Sequence, residues 1–77
     1  MKPVCVGCKT LMRRAQIGIY VERRVCGDAY EIWHGDKWKC AQCGVEIIAG
    51  FGDSPVANYA QVGRYASFLP EVEITVV

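Results

Sequence analysis

Four of the five cysteines fall into two close pairs, Cys5-Val6-Gly7-Cys8 and Cys40-Ala41-Gln42-Cys43, in the pattern C-x2-C-x31-C-x2-C. A two-residue spacer lets both sulfurs of a pair turn back towards one point. Two such pairs brought together supply a tetrahedral set of four thiolates. Zinc suits that set, because it binds thiolate well and has no geometric preference from its d electrons. Gly44, directly after the last cysteine, suits a positive φ that aims backbone N–H groups at sulfur. Lys9 holds the same place in the first pair and suits it less well. Those N–H groups, with Lys9 and Lys39 near in sequence, would offset the double negative charge of a zinc tetrathiolate.

Other chemistries are served poorly. A redox disulfide in a Cys-x-x-Cys motif belongs in a βαβ setting, which this chain lacks. Cys26 reads as a small apolar residue at the end of a strand, with no base beside it. His34 has neither a nucleophile nor an orienting group placed next to it. No general acid–base pair stands out among the eight Asp and Glu. Gly50-Phe51-Gly52-Asp53 before Ser54 lacks the glycine pattern and the lysine of a phosphate loop. The expectation is a protein without catalytic activity.

The paired knuckles, Cys5-x-x-Cys8 and Cys40-x-x-Cys43-Gly44, resemble the zinc-ribbon group, with a rubredoxin-like arrangement of ligands. The resemblance covers roughly residues 3–49. The 31-residue spacer exceeds the roughly 15–20 usual for such sites, which implies an elaborated hairpin. The run Ile32-Trp33-His34-Gly35-Asp36-Lys37-Trp38-Lys39-Cys40, with Gly50-Phe51-Gly52 further on, is also similar to small zinc-ribbon proteins of bacteria and their phages. What the resemblance implies is a structural Zn2+ on Cys5, Cys8, Cys40 and Cys43. Iron in the same place would give a rubredoxin-like electron carrier. Such carriers usually have a proline in the second knuckle and an acidic surface, and both are missing here.

The elements that must position these residues read mostly as strands. Ala15 to Val25 alternates, with Ile17, Ile19 and Val21 on one face, which is the period of a half-buried strand. Cys26-Gly27-Asp28 reads as a turn. A second strand is expected over Ala29–His34, a turn at Gly35-Asp36, and a third strand over Lys37–Cys40 that delivers the second knuckle. Trp33 and Trp38 would then flank that turn across a hairpin. Val45 to Ala49 reads as a short strand. Ser54-Pro55 signals a helix start, giving a helix over Pro55 to Gln61 or Val62 that Gly63 ends. Glu71 to Val77 alternates again, with Val72, Ile74 and Val76 towards a core. The fold class is therefore a small β-rich metal-bound domain: a zinc ribbon with an extended hairpin, one short helix and a C-terminal strand.

Seventy-seven residues make one domain, 1–77, with a ribbon core over 3–49 and a loop, helix and strand over 50–77. A chain this short has a marginal core and gains from a metal or a partner. No run approaches the roughly 18 apolar residues of a membrane span, and no signal peptide stands at the start, so a cytoplasmic protein without membrane contact is expected. Residues 1–44 carry a net charge of +4 and residues 45–77 a net charge of −3. Four thiolates and a divalent ion would lower the first half to about +2, which weakens any composition argument for nucleic acid.

The leading functional expectation is a binding module in which zinc is scaffold and the partner is a protein. Trp33 and Trp38 would anchor that partner, helped by the arginine pairs Arg13-Arg14 and Arg23-Arg24. The alternative is a nucleic-acid-binding zinc ribbon using the same arginines and Lys37 on phosphates. Size and resemblance together fit an inhibitory accessory protein of phage or bacterial origin. The last strand, as a sheet edge, is open to pairing within the domain or with a second copy.

Overall fold

The two Cys-x-x-Cys segments meet because one long hairpin carries them to the same end of the molecule. In the computed structural model, which describes residues 2–77, the strands are β1 (Val4–Cys5), β2 (Thr10–Leu11), β3 (Arg13–Val25), β4 (Asp28–Lys39), β5 (Glu46–Ala49), β6 (Ala57–Asn58) and β7 (Val72–Val76). A helix, α1 (Val62–Phe68), and a 3₁₀ turn over Leu69–Glu71 lie between β6 and β7. β1 and β2 form a small ribbon of their own. The main sheet runs β5-β4-β3-β7, with β6 paired to β4 alongside β5. Thirteen residues in β3, at about 3.3 Å each, account for the 41 Å long axis of a molecule only 23 × 21 Å across.

The β3–β4 hairpin turns at Cys26-Gly27, where both residues have positive φ, 53° and 82°. Val25 faces Asp28 across this two-residue loop, which is the tight turn that matches strand twist. The expected turn at Gly35-Asp36 does not form. Those residues lie inside β4, Gly35 opposite Ile19, so the second and third expected strands are one. Gly35 has a different reason to be glycine. A Cβ there would stand 3.0 Å from the Phe51 ring and 3.2 Å from the Ala49 carbonyl oxygen. Asp36 accepts the backbone N–H of Gly18 at 3.0 Å and so fastens the hairpin from within.

The ladder gains an extra β3 residue twice, between Arg14 and Gln16 and between Gln16 and Ile19; at the second place Gly18 takes φ +73° and the strand bulges. Ile17 is consequently 74% exposed while Ile19 and Val21 are buried. The expected three-residue apolar row is a two-residue one.

The helix stands later than Ser54-Pro55 predicts. Val56 and Tyr59 donate their N–H groups to the carbonyls of Ile32 and Tyr30, so this stretch pairs with β4 as β6 instead of coiling. Asn58 then builds the turn, accepting the N–H of Ala60 at its side-chain oxygen. α1 follows at Val62–Phe68 with Gly63 inside it. Seven residues are too few for a helix to hold on propensity alone; packing holds it. Tyr65 is buried with Ile32 and Ala57, and Tyr20, Val56, Phe68 and Val72 pack against them.

β7 lies parallel to β3, with Tyr20 opposite Val72, Val21 opposite Ile74 and Arg23 opposite Val76. The register slips between Tyr20 and Val21, so Glu73 is the extra residue. The phase of alternation changes there: Val72 packs on the helix side, whereas Val76 lines the opposite face with Val21 and Trp33. Val72, Ile74 and Val76 therefore do not share one face as their spacing suggests.

Between the helix and the sheet sits the most polar part of the interior. Glu22 is buried at 3% exposure and receives the Tyr65 hydroxyl, the Arg24 guanidinium at 3.1 Å and the Thr75 hydroxyl at 3.4 Å. Burial alone would push its carboxyl up; the Tyr65 hydrogen bond, with Arg24 and Thr75, more than offsets this and leaves it below the ordinary carboxylate value. Tyr65 is pushed up to about 12, first by burial and then by the Glu22 carboxylate it bonds.

Candidate metal centre

The two knuckles are built alike. In the first, β1 and β2 pair Val4 with Leu11 and Cys5 with Thr10, and the Lys9 N–H returns to the Cys5 carbonyl at 2.7 Å. In the second, Lys39 pairs with Glu46, and the Gly44 N–H returns to the Cys40 carbonyl at 3.0 Å. The residue after the second cysteine is left-handed in both, φ 56° at Lys9 and 79° at Gly44. Glycine takes that conformation freely; lysine takes it at a cost of roughly 1–2 kcal/mol. The two turns thus match in backbone conformation and in their closing hydrogen bond despite unlike residues at this position.

The four sulfurs converge. Sγ atoms of Cys5, Cys8, Cys40 and Cys43 all lie within 4.8 Å of one another, and Cys5 Sγ is 3.7 Å from Cys43 Sγ. A metal–sulfur bond of about 2.3 Å in a tetrahedron sets an edge of about 3.8 Å. The donor set fits a tetrahedral ion in type, number and spacing. All five cysteines are free thiols. Four cysteines are thus positioned to bind a metal ion.

Burial is graded across the site. Cys5 and Cys40 are buried, Cys8 is half-buried and Cys43 is exposed. Cys5 and Cys40 form one core cluster with Met12 and Trp38, and Cys8 and Ala49 pack against it. Thr10 Oγ1 lies 3.7 Å from Cys40 Sγ. The sulfurs do not share ionisation equally. Cys40 is pulled down to about 6, first by the backbone N–H of Cys43 and then by that of Gln42. Cys8 is pushed up to about 12, chiefly by its side-chain hydrogen bond with Cys43. Four like charges cannot collect so closely on their own, and a divalent cation is what lets all four ionise together.

The remaining sequence candidates are scattered. Trp33 and Trp38 do not face each other across a turn; both stand on β4, five residues apart and so on opposite faces. Trp38 is buried against the cysteines, with the Arg14 guanidinium 4.9 Å above its ring. Trp33 is half-buried and meets the edge of Phe51 at 6.3 Å between centroids. Arg14 also reaches Asp36 at 3.6 Å. Arg23 lies against Glu31 at 3.3 Å and over Tyr30, and Arg24 serves Glu22. Arg13 is exposed opposite Lys39. Lys37 Nζ lies 4.0 Å from Glu73. Cys26 sits in the turn at the far tip of the hairpin from the knuckles, so it is not a substitute ligand. His34 is exposed and packs on Tyr20.

Sequence reasoning missed Phe51, whose ring closes an apolar depression of about 390 Å³ with Val21, Arg23, Trp33 and Val76. Gly35 was the signal: a buried glycine in a strand marks a close approach by something. Comparison with protein-family models, with curated proteins and with solved structures gives no match for this chain. Among the described residues no helix is long and apolar enough to cross a membrane.

Proposed function

We propose that this chain is a zinc-scaffolded binding module without catalytic activity, whose metal is structural and whose partner is a protein. The observation that carries the reading is the convergence of four cysteine sulfurs within 4.8 Å, supplied by two matched knuckles. Zinc is favoured by the donor chemistry, since four thiolates in a closed tetrahedral set make a structural site with no open position for substrate. A reducing compartment such as the cytoplasm keeps those thiols available.

The partner surface in this reading is the sheet face around Trp33 rather than a two-tryptophan hairpin. Trp33, Phe51, Val21 and Val76 offer an apolar depression with Arg23 at its rim, and aromatic and arginine side chains are common anchors of protein interfaces. Three of the four paired arginines are already engaged by carboxylates and aromatic rings, which favours protein over nucleic acid. A small accessory protein that acts by covering a larger target fits this description.

Two experiments test it together. Elemental analysis of purified protein should find one zinc per chain in a colourless sample, whereas a red sample would mean an iron carrier. A pull-down with wild type and a Trp33→Ala, Phe51→Ala variant should lose the partner only with the variant, at low and high salt alike. Recovery of one partner by both proteins would remove this face from the account. Binding that falls steeply with salt would favour phosphate contacts instead.

A further inference from the structure

A second depression, of about 560 Å³, is lined by Lys2, Arg14, Asp36, Trp38 and Gly50. Its size falls within the roughly 300–1,000 Å³ of small-molecule sites. Asp36 and Trp38 stand an even number of residues along β4 from Ile32, which packs on the helix, so this hollow is on the sheet face opposite Trp33. Three of its side chains have hydrogen-bonding capacity to spare. The Arg14 guanidinium lies 4.9 Å over the Trp38 ring and approaches Asp36 only at 3.6 Å, through Nε. That is beyond hydrogen-bond reach, so Asp36 and Trp38 hold Arg14 in place without saturating its N–H fork. Lys2 is exposed and forms no ion pair among the described residues. Trp38 is 6% exposed, and its Nε1–H is buried without an acceptor. Folded proteins rarely leave such a donor unmet, and one that is unmet calls for a bound group.

We propose that this depression binds a small organic carboxylate. The charge count selects the ligand. Lys2 and Arg14 bring two positive charges and Asp36 one negative, which leaves one positive charge for the ligand to meet. A carboxylate meets it, whereas a phosphate dianion would overshoot. Asp36 does not compete for the fork, because its Oδ1 already accepts the Gly18 N–H at 3.0 Å. The planar fork of Arg14 suits the two oxygens of a carboxylate, Lys2 adds charge, and the Trp38 indole N–H gains the acceptor it lacks. Gly50 has no side chain to fill the hollow, so an apolar body attached to the carboxylate has room there. This goes beyond the partner reading, which concerns the opposite face of the sheet.

The test is a titration of the full chain, labelled with nitrogen-15, with benzoate through the millimolar range, followed by proton–nitrogen correlation NMR. The two tryptophans give two indole cross-peaks, and Trp33→Phe assigns them by removing one. Benzoate should move the Trp38 indole proton downfield and saturably, while the Trp33 peak stays in place. Chloride at the same ionic strength should do neither, and inorganic phosphate should bind more weakly than benzoate. Arg14→Gln should raise the Kd about tenfold to about a hundredfold, the worth of a hydrogen bond to a charged group. Lys2→Gln should raise it by up to about fivefold, as for an exposed charge pair. The rest of each spectrum verifies the fold of the variants, and zinc content is measured on the same samples. A Trp38 peak that ignores benzoate overturns the proposal, as does an equal response to chloride, tighter binding of phosphate, or an Arg14→Gln variant that binds benzoate as wild type does.

Discussion

Replacing Tyr65 by phenylalanine removes one oxygen and tests how the helix is tied to the sheet. The hydroxyl donates to Glu22, a carboxylate that is 3% exposed. A hydrogen bond to a charged group contributes about 1.5–3 kcal/mol. The phenol is pushed up to about 12, first by burial and then by the Glu22 carboxylate, so it stays protonated and able to donate through neutral pH. The ring stays, so no cavity adds to the loss. Tyr65→Phe should therefore destabilise the protein by about 2 kcal/mol, or roughly 10 °C in Tm for a domain of this size, measured by thermal melts at fixed free zinc. The pH dependence carries a sign. A phenol raised on folding contributes stability that is complete below pH 10.0 and is lost as pH climbs towards about 12. Wild type should lose stability across that window, and the variant should lack that component. On the acid side, the depressed Glu22 carboxyl contributes stability that is lost only as pH falls through its lowered value, so the gap should hold through neutral pH. A variant that melts with wild type, or that keeps the same alkaline loss, would refute the assignment of this bond to the helix anchor.

Further substitutions separate the two tryptophans, and the crowded glycine from the left-handed turn positions. Trp38→Ala should cost about 3–5 kcal/mol, because the ring is buried against the cysteines; Trp33→Ala should cost clearly less in the same denaturation assay and act on partner binding. Gly35→Ala should destabilise by about 1–3 kcal/mol, since its Cβ would press on the Phe51 ring and the Ala49 carbonyl. Gly44→Ala has open space but a φ of +79°, so the loss should be about 1 kcal/mol, and Lys9→Gly should change stability in the opposite direction by a similar or smaller amount. Cys26→Ser should leave metal content untouched, whereas Cys43→Ser should abolish it, as measured by elemental analysis.

Residue spacing announced the site more fully than the fold. The pairs Cys5/Cys8 and Cys40/Cys43 are local signals whose chemistry does not depend on what lies between them, and Gly44 marked the left-handed turn by its type. The path between the pairs was harder to read. Gly35-Asp36 carries the composition of a tight turn, yet Cys26-Gly27 takes that role, and Gly35 is small because Phe51 comes from sixteen residues away in sequence. Ser54-Pro55 signals a helix, but hydrogen bonds from Val56 and Tyr59 to β4 outweigh the local preference. Alternation fails at Ile17 and at Glu73 for one reason: a bulge shifts the phase without leaving a mark in composition. The Glu22–Tyr65 contact spans 43 positions, and no short-range pattern predicts it.

Metal content with its structural consequence is the most direct test of the whole account. Native mass spectrometry of the purified protein, followed by chelation under circular dichroism, should show one zinc per chain, loss of the folded spectrum on removal and its return on adding zinc. Protein that carries no metal, or that keeps its spectrum and melting curve after a strong chelator, would contradict it.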